Sequence, residues 1–533
     1  MSFISGFAQH RHAYAIAASA AMGSIFYGWD IGLIGGVLAL PSFKAYFDIN
    51  SMSKAAQADL SGNIVAVLQG GCFFGALFTG YLSNTFGRKP ILIVSGLIYL
   101  IGSLIQALIG LGTSSDTALR LFYFSRFFAG LGVGMVSALV PSYVSESVPR
   151  SIRGRCTGMV QLANNVGIML SFWVNYGVSM HYAGTDNMQW RLPLIIQLIP
   201  GVLFIGFMAF QPESPRWLVE HGHFDRAAKS LARASGCRPD DDSVLAELAE
   251  IKGDFEGKEK TPIIKQFALM AESRTTALRC FIPSLVMFFQ QATGTNAINY
   301  FSPTIFASLG ISSTTSGLFA TGVYGVVKTV SVALVLAFAV EGLGRKRCLM
   351  IGGLGQGLMM LWIGGFSAVH PQPNIAPASY VSIVAVYLYA VFYCVGWGPL
   401  PWVVAAEVAP NHVRAASQSL AIGVNWLFSF TVSKLTPIML NRITYGTYLV
   451  FGVFCIIMVT WTYFCLPETK GYALEDIRFL FEDSVCTRAL QDAPGGRIFL
   501  GSKRVPSVEE LKAREIGSDD EIVEDIKEDH SKV

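Results

Sequence analysis

Charge is scarce in this chain: 14% of its 533 residues are Asp, Glu, Lys or Arg against 52% hydrophobic, with a mean hydropathy of +0.48, which excludes a single water-soluble domain. What charge there is falls in patches. Forty of the 75 charged residues lie in 221–275 and 482–533, leaving 35 for the other 426 positions. Strand-like alternation is missing from the long apolar runs, which excludes an outer-membrane barrel built of ~10-residue segments. There is no Walker A lysine loop, and Gly353-x-Gly355-x-Gly357 lies inside an apolar run with no strand before it, so a nucleotide loop fails its context. Clustered His, Cys or carboxylates of a hydrolytic or redox metal site are absent too, so the sequence points to no enzyme, no metal and no cofactor. The net charge of +3 sits in short flanking clusters and carries no nucleic-acid signature. Nine cysteines fall in apolar runs or in the two charged segments, so no disulfide between outside loops is expected. A signal-peptide cleavage pattern is lacking, and Arg11 and His12 lead straight into an apolar run, so the first helix is expected to stay as the insertion signal.

What is present is apolar length. Runs of ~20 residues cross a ~30 Å hydrocarbon layer at 1.5 Å per residue. Twelve spans are predicted, at 15–38, 60–82, 90–112, 119–143, 157–179, 190–212, 277–301, 315–340, 347–370, 378–406, 415–437 and 445–466. Alternate loops carry Arg88 and Lys89, then Arg150, Arg153 and Arg155, then Arg345, Lys346 and Arg347, then His412 and Arg414, which places these loops and both termini on the cytoplasmic side. The expected organisation is a cytoplasmic N-terminus (1–14), a six-helix half (15–212), a cytoplasmic linker of short amphipathic helices (213–276), a second six-helix half (277–466) and a cytoplasmic tail (467–533) with a disordered acidic end.

An internal repeat supports the two halves. Gly87-Arg88-Lys89 recurs as Gly344-Arg345-Lys346, Glu146-x2-Pro149-x3-Arg153 as Glu407-x2-Pro410-x3-Arg414, and Pro212-Glu213-Ser214 as Pro467-Glu468-Thr469, all at nearly one offset. Two homologous helical halves with a site between them is a transporter architecture that alternates access by rocking. Together with Pro141-x-Tyr143-x2-Glu146, Pro215-Arg216-Trp217-Leu218, Gln290-Gln291-x2-Gly294-x-Asn296, Gly398-Pro399-x-Pro401-Trp402 and Pro467-Glu468-Thr469-Lys470-Gly471, these motifs give a chain that resembles the sugar porter family of the major facilitator superfamily over about residues 13 to 480, and most of all its fungal hexose and quinate permeases. The resemblance implies an all-α membrane protein of twelve helices and a plasma-membrane carrier of a sugar or sugar acid.

The residues themselves carry three kinds of chemistry. Gln161, Gln290, Gln291, Asn296 and Asn425 are amides at membrane depth, where an unpaired amide is costly, so each must face a partner helix or a wet cavity. Amides both donate to and accept from hydroxyls without adding charge, which suits a polyol; the competing reading is glue between helices. By resemblance these amides, and the rings of Tyr27, Tyr393, Trp402 and Trp426, fall at sugar-contacting positions. Asp30 and Arg126 are charges inside spans, each costly alone, and are expected to pair or face water. The resemblance makes Asp30 the proton acceptor of a symporter, and it also fits an uncoupled facilitator. Lys328 stands where many sugar porters have an asparagine; a cation facing the cavity favours a carboxylate-bearing substrate such as quinate or galacturonate, while pairing with a cavity acid or snorkelling are the other readings.

At the cytoplasmic ends, Arg88, Arg153, Arg345 and Arg414 beside Glu146, Glu341 and Glu407 are expected to form ion pairs that clamp the halves together as a gate. Asn84 and Thr85 replace the family's usual acid and arginine there, which weakens the first-half latch. The expected partners are a monosaccharide or sugar acid, a proton and the bilayer, with the chain acting as a monomer. A nutrient sensor signalling through the short tail is the remote alternative.

Overall fold

The computed structural model describes residues 10–109, 115–255, 263–311, 313–339, 343–370, 377–470, 472, 476–482 and 485–493. The acidic end expected to be disordered lies outside them. Every regular element among these residues is helical, as hydrocarbon requires of a chain whose backbone groups must be satisfied within each segment.

The first half comprises α1 (Arg11–Ala39), α2 (Lys54–Phe86), α3 (Arg88–Leu108), α4 (Ser115–Ser147), α5 (Arg153–His181) and α6 (Met188–Ala209). Helix α6 is interrupted at Gln197, between Pro193 and Pro200. Three short helices, α7 (Pro215–Glu220), α8 (Phe224–Ser235) and α9 (Asp242–Phe255), gather round a small apolar core that includes Leu218, Leu231, Val244 and Leu248, and α10 (Ile263–Leu269) follows. The second half comprises α11 (Arg274–Ala292) running into α12 (Thr295–Ser308), α13 (Thr314–Leu334), α14 (Arg345–Val369), α15 (Pro377–Val395) running into α16 (Leu400–Val408), α17 (Arg414–Arg442) and α18 (Gly446–Cys465). The α11–α12 break falls at Gly294, whose φ of +83° suits glycine and where a Cβ would meet the Phe451 ring at 2.7 Å. These elements make twelve passes in two sets of six.

Among the described residues nine helices are long and apolar enough to cross a membrane by composition alone. The passes that fall short are α5, α11 with α12, and α17, and they are the ones that bring Gln161, Gln290, Gln291, Asn296 and Asn425 to the middle of the bundle. Polarity there lowers hydropathy because these helices face one another across a cavity as well as lipid.

Close packing positions α1. Gly28, Gly32 and Gly36 form a stripe at four-residue spacing, where an added Cβ would come within 2.0 Å of the Asn164 carbonyl, 2.1 Å of Ser171 Oγ and 2.2 Å of Asn175 Nδ2 on α5. Small residues at this spacing let two backbones approach closely in lipid. Asp30, two residues on from Gly28, is turned by ~200° from that stripe and points into the first half.

The face of the bundle where α1 begins and α18 ends also carries α7 to α10, with His12 against Gly236. At the opposite face the two halves touch: a Cβ at Gly35 of α1 would meet the Tyr300 carbonyl of α12 at 2.2 Å, and Lys434 of α17 is salt-bridged to Asp59 and hydrogen-bonded to Asn63 on α2.

Candidate functional site

All ten residues expected to contact substrate line one central cavity: Tyr27 of α1, Gln161 of α5, Gln290 and Gln291 of α11, Asn296 of α12, Lys328 of α13, Tyr393 of α15, Trp402 of α16, and Asn425 and Trp426 of α17. Four amides form a relay. Asn296 Nδ2 donates to Gln291 Oε1 at 2.7 Å, Gln291 Nε2 to Asn425 Oδ1 at 3.1 Å, and Asn425 Nδ2 to Gln290 Oε1 at 2.7 Å. Gln290 Nε2 then donates to the carbonyls of Trp397 and Gly398 at 2.8 and 2.9 Å, the backbone freed where α15 gives way to α16. Each amide is oriented by its neighbour, so the wall presents a fixed pattern of donors and acceptors.

The rings close the site. Tyr27 meets Trp426 edge-on at 5.6 Å between centroids, and Trp426 Nε1 donates to Ser137 Oγ across the halves at 3.2 Å. Lys328 is buried with its Nζ donating to Asn299 Oδ1 at 3.2 Å and 5.2 Å from the centroid of the Tyr393 ring. Among the described residues no carboxylate pairs with it. The cavity measures about 60 Å³, well under the ~300 Å³ at the lower end of ligand sites, so this is a closed-down form that must widen to admit a six-membered ring.

Truncating this wall tests it. Gln290→Ala and Asn296→Ala each remove about one net hydrogen bond, ~0.5–1.5 kcal/mol, so the half-saturation constant for uptake is expected to rise ~2- to 12-fold. Trp402→Ala, which deletes a whole ring face, should cost more. Unchanged constants in all three variants would make these residues packing.

Asp30 and Arg126 stand apart from the cavity, both fully buried within the first half. Arg126 Nη1 lies 3.3 Å from Asp30 Oδ1 and Nε donates to the Ile64 carbonyl at 2.8 Å. Asp30 Oδ2 and Arg126 Nη2 have no hydrogen-bond partner. The pair the sequence led us to expect is formed, and neither member lines the cavity.

At the face where α1 begins and α18 ends, the charged residues fasten helices within each half. Arg88 Nε pairs with Glu146 Oε2 at 3.1 Å in the first half and Arg345 Nη2 with Glu407 Oε1 at 2.9 Å in the second. This departs from the expected clamp between halves for these two pairs; the repeat itself sets each arginine beside the glutamate of its own half. Arg88 Nη1 also donates to Asn84 Oδ1 at 3.1 Å, so the asparagine that replaces an acid still holds the arginine. Arg153 and Arg414 open α5 and α17 at the same end, and Arg414 Nη2 donates to the Ala409 carbonyl at 3.4 Å. Glu341 lies outside the described residues.

Several site residues escaped the sequence reading. Glu213 and Glu468, seen only as repeat markers, gather the motifs into one knot per half. Glu213 Oε1 accepts from the Arg88 and Ser214 N–H groups at 3.0 and 2.8 Å, and Ser214 Oγ donates to Glu146 Oε2 at 2.5 Å. Glu468 Oε1 accepts from Arg345 N at 2.9 Å, and Thr469 Oγ1 donates to Glu407 Oε2 at 2.7 Å. Gly87 and Gly344, at φ +99° and +89°, leave room for these carboxylates, which a Cβ would meet at 2.6 and 2.5 Å. Burial pushes the Glu213 carboxyl above its ordinary range, opposed by the N–H donors and Arg88. Asn164, Asn165 and Asn299 also line the cavity; they sit one helical turn from Gln161 and Asn296, a spacing that could have found them.

The comparisons with known proteins agree with the fold. A family model described as "Sugar (and other) transporter" matches residues 16–481. A "Probable quinate permease" of Aspergillus fumigatus is 36% identical over 485 residues, covering 89% of this chain and 88% of that protein. The quinate permease of Neurospora terricola is 37% identical over 481 residues, covering 88% of each. Among solved structures, the partially occluded inward-open xylose transporter XylE from E. coli superposes with a TM-score of 0.73 at 26% identity over 87% of this chain and all of that one. The proton:xylose symporter XylE bound to 6-bromo-6-deoxy-D-glucose gives 0.73 at 27% identity over 89% of this chain and all of that one.

Proposed function

The chain belongs to the sugar porter family of the major facilitator superfamily, a family of membrane transporters, and from that premise we propose that it carries a carboxylate-bearing cyclic polyol of the quinate type, together with a proton, by alternating access. The observation behind this reading is Lys328, an ammonium in a wall otherwise built of amides, hydroxyls and rings, held by Asn299 with no acid paired to it among the described residues. A buried charge calls for an opposite one, and a substrate carboxylate supplies it while the amide relay takes the ring hydroxyls. The likeness to quinate permeases points the same way. A neutral hexose or pentose is the second reading, favoured by the uncharged relay and by the likeness to a xylose symporter.

In this reading Tyr27, Gln161, Gln290, Gln291, Asn296, Tyr393, Trp402, Asn425 and Trp426 contact substrate beside Lys328. Asp30 takes the proton and Arg126 answers its change of charge. Arg88, Glu146, Arg153, Arg345, Glu407 and Arg414 fix helix ends at the cytoplasmic gate, which holds both termini. The halves, 15–212 and 277–466, rock about the cavity in a monomer at the plasma membrane, with 213–276 between them.

The test is uptake of labelled quinate, galacturonate, glucose and xylose in a yeast lacking its own carriers, with and without a protonophore. Saturable quinate uptake that the protonophore abolishes is expected. Glucose or xylose uptake without quinate uptake would establish the monosaccharide reading, and indifference to the protonophore would make the chain a facilitator.

A further inference from the structure

The proton-accepting pair poses a problem of access. Asp30 and Arg126 are fully buried and neither lines the substrate cavity, so a proton needs a route of its own. Asp30 is paired with Arg126 from α4, and its charge reaches Cys72 of α2, Tyr99 of α3 and Tyr300 of α12. Of these, Tyr99 opens onto further buried polar groups. Its hydroxyl donates to the Gln197 carbonyl at 3.5 Å, at the break in α6, and stands beside the Ser103 hydroxyl. Ser103 and Gln106 follow Tyr99 on the same face of α3 at helical spacing, so Tyr99 to Gln106 covers ~10 Å along the helix. Gln106 occupies the last turn of α3, at the face opposite the start of α1.

The side-chain amides of Gln106 and Gln197 are fully buried, and neither the oxygen nor the nitrogen of either has a hydrogen-bond partner in the protein. Buried polar groups of this kind are held by ordered water. The Ser103 hydroxyl between Tyr99 and Gln106 is likewise buried without a partner, and so is Asp30 Oδ2. Apolar side chains at 106 and 197 would serve packing better, so the amides need another account.

We infer that Gln106, Ser103, Gln197 and Tyr99 hold a file of water through the first half that delivers protons to Asp30 from the face opposite the start of α1, apart from the substrate cavity. The inference rests on the symport reading. A hydronium at that face passes its proton along the file, Asp30 Oδ2 takes it and becomes neutral, and Arg126 loses its counter-charge. Gln106 and Gln197 are positioning residues: they orient water and exchange no proton themselves.

Two measurements on the full-length protein test this. In radiolytic hydroxyl-radical footprinting, water beside a buried ring leads to its oxidation. Tyr99 is expected to be labelled well above Tyr143, an equally buried tyrosine whose hydroxyl is satisfied by the Pro212 carbonyl at 2.7 Å. Labelling of Tyr99 should fall severalfold in a Gln106→Leu/Gln197→Leu double variant and recover in Gln106→Asn/Gln197→Asn. In vesicles, the leucine variant should lose about tenfold of [14C]quinate or [14C]xylose uptake driven by a pH gradient, while counterflow exchange, which carries no net proton, falls far less. Tyr99 labelled no more than Tyr143 overturns the water file. Equal loss of both transport modes assigns the amides to packing and overturns their role, and so does a loss confined to Tyr300→Phe, which routes protons through the cavity. Wild-type uptake indifferent to the gradient overturns the proton role together with the symport reading, an outcome set apart by being seen without any substitution.

Discussion

Asp30→Asn is expected to abolish uptake driven by an imposed pH gradient, a loss of ~100-fold or more, while substrate exchange across the membrane remains measurable. Asparagine matches the neutral acid in shape and cannot release a proton, so the carrier is held in the state that binds substrate and never resets by deprotonation. The side chain lies outside the cavity wall, so the amide relay from Asn296 to Gln290 is left intact. The substitution also leaves the buried Arg126 with only its bond to the Ile64 carbonyl among the contacts described. Unpaired buried charges cost ~3–5 kcal/mol when one partner is removed, so folded protein must be confirmed by gel filtration before transport is scored. A well-folded variant that still concentrates substrate down a pH gradient would move the proton acceptor elsewhere.

Lys328→Asn separates anionic from neutral substrates. If the ammonium meets a substrate carboxylate, the variant loses a charge-assisted hydrogen bond of ~1.5–3 kcal/mol, roughly 10- to 150-fold in affinity. Quinate and galacturonate uptake should fall below detection at micromolar concentration. Neutral hexose uptake should hold or improve, because asparagine beside Asn299 extends the amide wall. Equal loss for glucose and for the acids would reject the carboxylate role and leave Lys328 as a structural cation held by Asn299 and the Tyr393 ring.

Much of this was legible beforehand, for physical reasons. Apolar length marks a span whatever its neighbours, and a repeat offset marks a duplicated half, so twelve passes and two halves could be read without coordinates. Amides at membrane depth are expensive unless they meet a partner helix or a wet cavity, and all ten substrate candidates line a cavity. What could not be read was depth and direction. Periodicity gives Asp30 a helical face and says nothing of which neighbour fills it, so its separation from the cavity appears only once the glycine stripe of α1 is laid on α5. The gate arginines looked like a clamp between halves because the spacing of Arg88 and Glu146 is silent on whether they meet each other or a copy in the other half. Glu213 and Glu468 hid as repeat markers since their partners are backbone N–H groups, which leave no trace in residue type.

The bridge from Lys434 to Asp59 ties the carrier to the salt content of its surroundings. It joins the halves at the mouth opposite the start of α1, and both side chains keep contact with solvent, 26% and 57% exposed. An exposed pair of this kind is worth ~0.2–1 kcal/mol, enough to bias an equilibrium between shut and parted mouths up to ~5-fold. Dissolved ions compete with it directly, since screening shortens from ~10 Å at 0.1 M to ~3 Å at 1 M. The resting bias of this carrier is therefore a function of the ionic strength at that mouth, set by two residues away from the cavity wall.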